Sequence, residues 1–230
     1  MVCGKMNKLN ILYEDNHIIV VEKIPNILSQ SDITGDTDLL TLVKEYIKEK
    51  YQKPGNVYVG LVHRLDRTVG GIMVFAKTSK AAKRLNEQIK NHEFTKTYIA
   101  VLDGILENKK SALINYLYKD EKNKISLVVD KDYKGAKEAK LNYEVIGYFD
   151  NKTIVKINLI TGRYNQIRVQ FKNIGYPLVG DQKYGNKSKE NIKLYAYKLE
   201  IIHPTKKEKM EFKLLPKWKE IKDEAIIHRL

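Results

Sequence analysis

Residues 60–71 read Gly60-Leu61-Val62-His63-Arg64-Leu65-Asp66-Arg67-Thr68-Val69-Gly70-Gly71. β-rich runs flank the polar part, Val57 to Val62 on one side and Ile72 to Ala76 on the other, so the pattern predicts a loop held between two strands. Polar residues fixed by strands are well placed for chemistry. Asp66 stands between Arg64 and Arg67, and the paired glycines let backbone approach a ligand, which suits a pocket for a phosphate-bearing substrate. The competing reading is an ion-paired surface turn, since exposed pairs of this kind are common and contribute only about 0–1 kcal/mol.

Outward from this loop, Ile11 to Lys23 predicts two strands joined by a turn at Glu14-Asp15-Asn16. Asp36, Thr37 and Asp38 offer N-caps to an amphipathic helix carrying Leu39, Leu42, Val43, Tyr46 and Ile47 and ending before Pro54-Gly55. Ser79 is the expected cap of a second helix that turns Ala82, Leu85 and Ile89 inward, and Thr95 to Val101 returns to strand. Ala112–Tyr118, Ile125–Val129, Leu141–Tyr148 and Thr153–Leu159 then read as a β-meander. A short helix over Gln166 to Asn173, stopped by Gly175, precedes strands at Lys193–Ile201 and Glu208–Leu214, and Pro216 is expected to open a C-terminal helix. Many strands and few helices predict an α+β fold with a mainly antiparallel sheet, organised as one domain over residues 1–230.

A second polar group is Thr161-Gly162-Arg163-Tyr164-Asn165-Gln166-Ile167-Arg168-Val169, with arginines at a turn and inside the following helix. Arg168 can reach a carboxylate from another strand, or can be an ordinary helix-surface cation. Tyr98, read by itself, is a core aromatic on a strand.

The ordered set changes this. HRLDR is followed by AKT at Ala76-Lys77-Thr78, TKTYIAVLDG at Thr95–Gly104, TGRYNQIRV, and GDQKYG at Gly180–Gly185. With the opening ILYEDNHIIVVEKIPN, the chain resembles the RluA family of pseudouridine synthases over nearly its whole length. The resemblance implies the catalytic fold of that family, a long mixed but mainly antiparallel sheet with flanking helices and a central RNA-binding cleft. It implies isomerisation of uridine to pseudouridine in ribosomal or transfer RNA, with Asp66 as nucleophile, Tyr98 packing on the target base and assisting proton removal, and Arg168 pairing with Asp66. Arg64 matches the residue that fills the gap left by an extruded uridine, and His63, Arg67, Arg163 and Gln166 are expected to bind RNA.

These roles are physically coherent. The reaction breaks an N-glycosidic bond, rotates the base and rejoins it through carbon while the detached base is held in place. Attack on the base, attack on the sugar and elimination to a glycal all suit a carboxylate. A stacked base must first leave its stack, which calls for a wedge such as Arg64 and an aromatic platform such as Tyr98. Three places depart from the family pattern. Arg67 leads into Thr68-Val69-Gly70-Gly71 where R-D-T-S-G is usual, Tyr164-Asn165 stands for Thr-His, and Lys23-Ile24-Pro25-Asn26 replaces Lys-Pro-x-Gly. No S4 RNA-binding domain is recognisable before residue 10, so recognition is expected from the catalytic domain itself.

Bulk properties agree. The 230 residues, 43% hydrophobic and 30% charged, suit a folded globular protein. Lysine and arginine outnumber acids by 42 to 28, a net charge of +14 that suits a polyanionic partner. Cys3 is the only cysteine, which excludes an intramolecular disulfide and any cysteine-rich metal site and points to a reducing cytoplasm. No run of about 18 apolar residues is present, so no membrane span is expected. Scattered His63, His92 and His203 make no metal site, and neither metal nor organic cofactor is expected; a monomer is the simplest state. A kinase, suggested by His-Arg-x-Asp, fails for want of a Gly-rich loop before it and a D-F-G after it. The remaining rival is a catalytically silent RNA-binding protein on the same fold.

Overall fold

The computed structural model describes residues 9–186 and 190–230, so Cys3 lies outside the described residues. An eleven-stranded sheet carries the chain, in the order β1 (Ile11–Glu14), β2 (Ile18–Lys23), β4 (Gly70–Ala76), β10 (Leu194–Ile202), β5 (Thr95–Asp103), β9 (Lys152–Leu159), β8 (Lys137–Phe149), β6 (Lys110–Asp120) and β7 (Ile125–Val129). The two-residue β3 (Gly60–Leu61) pairs with β4, and β11 (Lys209–Lys213) pairs with β10. Among these pairings only β4 with β10 is parallel. The fold is the expected α+β arrangement with a long, mainly antiparallel sheet.

One ladder row positions everything that follows. Lys23, Gly71, Ala196, Tyr98, Ile157, Tyr143 and Ser111 are directly paired in sequence across seven strands, β2 to β6. Directly paired residues project to the same face of a sheet. On that face Tyr98, Tyr143 and Ile157 join Ile167 and Phe171 of α3 (Gln166–Asn173) in the largest apolar cluster, so α3 is seated on the row. Gly71 sits at the parallel joint with φ of +135°. A β carbon there would lie 2.5 Å from both the amide nitrogen and the carbonyl oxygen of Ala196, so backbone contact excludes a side chain.

Helix α1 (Leu39–Lys50) starts at Asp38, whose carboxylate accepts from the Thr41 amide, and buries Leu39, Val43 and Ile47. It is tied to β1 through Glu14, which accepts hydrogen bonds from Lys50, Lys77, Tyr46 and Tyr51. Burial pushes the Glu14 carboxyl up, but these four donors outweigh it and hold it down at about 2.

Four details of the sequence reading are corrected. The run from Val57 to Val62 forms strand only at Gly60–Leu61, because β10 already occupies this edge of β4 at Gly70 and Gly71, leaving Phe75 and Ala76 for pairing. Thr78, not Ser79, caps α2 (Ser79–Lys90): its backbone is extended and its hydroxyl accepts from the Ala81 amide. The inward face is the expected one, with Leu85 fully buried and Ala82 and Ile89 packed against the same apolar cluster, and it also buries Ala81 and Gln88, whose side chain brackets Ile202, donating to its carbonyl and accepting from its amide. The middle strands are not a simple meander. After the β6–β7 hairpin the chain crosses to the other edge of β6, where the 13-residue β8 buries Ala139, Leu141, Tyr143 and Ile146; the five-residue β7 is left at the sheet margin. Pro216 opens no helix; a 3-10 turn at Lys219–Ile221 and α4 (Glu224–Ile227), capped by Asp223, come later.

Two outcomes test this frame. Gly71→Ala should destabilise by roughly 3 kcal/mol or more, read as a fall in Tm on the order of 6–12 °C; an unchanged Tm refutes the close approach. Glu14, with a folded pKa of about 2 against an ordinary 4.5, contributes stability that is present above pH 4.5 and lost as pH falls toward 2. In denaturant titrations across that window, Glu14→Gln should flatten the acid loss; a profile identical to the parent's contradicts the assignment.

Candidate active site

The loop from β3 to β4 brings Asp66 over the ladder row, and its backbone is pinned from below. The Lys23 ammonium, fully buried, donates to the carbonyls of Asp66 at 3.1 Å, Arg67 at 2.9 Å and Val69 at 2.8 Å. The Asn26 amide donates to the Arg67 carbonyl, and the Ser29 hydroxyl both donates to the Leu65 carbonyl and accepts from the Leu65 amide. Burial pushes the Lys23 amine down to about 7, opposed by the Asp66 charge. The Leu65, Asp66, Arg67 and Val69 carbonyls are thus all held by donors from within the fold, and these contacts set where Asp66 stands.

Asp66 and Arg168, 102 positions apart in sequence, meet at 3.3 Å between a carboxylate oxygen and a guanidinium nitrogen. The geometry ranks the partners of Arg168. Its Nε and a terminal nitrogen grip Asp181 at 2.8 and 2.6 Å, a bidentate pair in which the carboxylate is fully buried. Asp181 also accepts from the Lys183 and Tyr184 amides. The remaining terminal nitrogen serves both Asp66 and the Asn165 side-chain oxygen at 3.2 Å. Burial alone would push the Arg168 guanidinium down, but Asp181 first and Asp66 second raise it, so it stays charged. Arg168 is therefore oriented by Asp181 and presents its leftover donor to Asp66, whose side chain keeps 29% of its surface open.

Tyr98 lies 5% exposed on the row beneath. Burial, with the Asp66 charge behind it, pushes its phenol above the ordinary range, so it is a neutral hydroxyl at any working pH. Tyr184 flanks the guanidinium, its ring centroid 5.3 Å away, and its hydroxyl accepts from the Asn165 amide group and from the Ser126 backbone. Asn165 takes a left-handed conformation at φ 50°, which asparagine tolerates, to start α3.

The other expected RNA-binding residues divide. Arg64 is exposed, and among the described residues its guanidinium has no hydrogen-bond or ion-pair partner. Arg67 is exposed and paired with Asp36 at 2.7 Å. Arg163 is exposed and donates to the Glu138 carbonyl. His63 and Gln166 do not face the opening. The His63 ring is buried against Phe94, accepts from the Val74 amide through Nε2, and is held neutral by burial and by Lys96, with a pKa of about 3. The Gln166 amide is consumed in fastening the Thr161–Arg163 turn, accepting from Thr161 and Arg163 and donating to Lys140. Sequence reading missed Lys23, Asn165, Asp181 and Tyr184 as parts of this arrangement, although the last two stand in the GDQKYG stretch. Among the described residues no cluster of His, Cys, Asp and Glu could hold a metal ion, and no helix is long and apolar enough to cross a membrane.

Comparison with known proteins places this arrangement in a family. The RNA pseudouridylate synthase family matches residues 17–173. An RNA pseudouridine synthase of Aquifex aeolicus is 34% identical, covering 90% of this chain and 69% of the relative. Ribosomal large subunit pseudouridine synthase C of Buchnera aphidicola is 32% identical over 86% of this chain and 64% of its own length. The chain thus spans about two thirds of these relatives. The human RNA pseudouridylate synthase domain containing 4 protein shares the fold, with a TM-score of 0.75 at 18% identity, covering 96% of this chain and 92% of that one. With the match running through β2, the Asp66 loop, β5 and α3, the chain belongs to the RNA pseudouridylate synthases, in the RluA branch that its motifs resemble.

Proposed function

We propose that this chain isomerises uridine to pseudouridine in structured RNA with Asp66 as the nucleophile, and that ribosomal RNA is the substrate class. The observation that carries the reading is the contact of a partly open carboxylate with a guanidinium clamped from behind by a buried acid. In the reaction the bond between C1′ and N1 breaks, a bond between C1′ and C5 forms, N1 gains a proton and C5 loses one. Each route from a carboxylate requires it ionised when the nucleoside covers it. A guanidinium about 4 Å away contributes roughly 4 kcal/mol of attraction at an effective dielectric near 20, enough to offset much of the desolvation. Tyr98, a neutral phenol under the same opening, serves as a stacking floor and hydrogen-bond donor; as a proton acceptor it would have to be a phenolate, which its surroundings oppose. Arg64, projecting outward between buried His63 and Leu65, is the wedge for the vacated stack. The ribosomal assignment draws on the names of relatives, ribosomal large subunit synthases C and D.

Asp66→Asn should reduce tritium release from RNA labelled at uridine C5 by roughly 1,000-fold or more while RNA affinity stays within a few-fold; unchanged turnover ends the nucleophile assignment and favours a binding protein. The two acids should also separate in stability. Asp181→Asn, which strips a buried guanidinium of its bidentate partner, should lower unfolding free energy by roughly 3–5 kcal/mol, whereas Asp66→Asn should change it by about 1 kcal/mol or less. Equal losses in urea titrations would contradict the ranking of Arg168's partners.

A further inference from the structure

Lys96 is the second residue of β5, two before Tyr98, and so shares its face of the sheet. Its amine runs past the Phe94 ring, 5.9 Å from the centroid, at the outer limit of a cation–π contact. It ends beneath the Thr161–Arg163 turn: a β carbon at the exposed Gly162 would lie 3.6 Å from Nζ. On the other side stands His63, neutral and buried, which feels the Lys96 charge. Among the described residues no carboxylate pairs with Lys96, although it is partly buried and that burial pushes its amine below the ordinary lysine range. This is unusual in the molecule. Lys23, the other lysine taken from water near the site, has carbonyl acceptors, and Lys77 and Lys193 have carboxylates.

An ammonium held from water without an anion is a poor structural choice and a good anion receptor. Its neighbours select the anion. Arg64 and Arg163 are exposed on the loops that carry His63 and Gly162, and among the described residues neither has a carboxylate partner, so two further cations accompany Lys96. Gly162 leaves the approach to Nζ free of side chain, as a bulky diester oxygen requires. We propose that Lys96 is a positioning residue that binds a backbone phosphate of the RNA next to the target uridine, fixing the strand so that the extruded nucleoside lands between Tyr98 and Asp66. The proposal rests on the pseudouridine synthase reading for its substrate, but the phosphate contact is measurable without turnover.

The test uses the full chain with Lys96→Gln and Lys96→Arg. Filter binding of bulk ribosomal RNA across a salt series and tritium release from the same RNA labelled at uridine C5 are both measured. We expect Lys96→Gln to raise KM about tenfold with kcat within about twofold, and to reduce the log–log salt slope of binding by about one counterion, with Lys96→Arg restoring both and Tm unchanged in each. Unchanged KM and slope in Lys96→Gln would overturn the proposal, as would equal losses in both variants accompanied by a lowered Tm, which mark a packing role. If the parent chain releases no tritium from ribosomal or transfer RNA, the functional reading fails instead, and the salt slope still decides for or against the phosphate contact.

Discussion

Arg168 is asked to satisfy two acids with one guanidinium, and the unequal way it does so governs the site. Asp181 is fully buried and would be intolerable as a lone anion. It is made tolerable by a bidentate arginine and two backbone amides, which means that neither it nor Arg168 can move without exposing the other. What is left over, one nitrogen at 3.3 Å, reaches Asp66. A long single contact leaves Asp66 free to exchange its partner, as the proposed nucleophilic role asks, whereas a short bidentate one would have locked it away. Rigidity is thus placed one residue behind the chemistry.

The same division of labour appears beneath the loop. Lys23 spends its donors on backbone carbonyls of residues 66, 67 and 69 and offers nothing to a ligand, yet it decides the height of Asp66 above the sheet. Because Lys23 and Tyr98 stand on one ladder row, the distance from loop to aromatic floor is a property of strand spacing, about 4.8 Å per strand, and not of flexible side chains.

Strand and helix positions were legible wherever periodicity and punctuation agreed: Ile11 to Lys23, the Asp38 cap, the Gln166–Asn173 helix and the central strands were all read close to their observed bounds. What failed was pairing. Nothing in the apolar run from Val57 to Val62 says that β10 has already taken part of its partner's edge, and nothing in the middle strands says that β8 crosses back over β6. The residues Asp66, Tyr98 and Arg168 came from ordered motifs, not from their surroundings. Lys23 and Asp181 escaped notice because their importance lies in partners 43 to 46 and 13 positions away, chosen by folding. His63 and Gln166 were taken for ligand contacts because motif membership does not tell which neighbours in a loop face outward; the alternation of buried His63, exposed Arg64 and buried Leu65 does.

The position of β10 carries one more implication. It is the next-to-last strand in the chain, yet it lies between β4, which follows the Asp66 loop, and β5, which bears Tyr98. During translation both flanking strands emerge some ninety residues or more ahead of the segment that joins them. Until residues 194–202 leave the ribosome, the Asp66 loop and the strand bearing Tyr98 belong to two unjoined pieces of sheet, so a nascent or prematurely terminated chain cannot bring these side chains together.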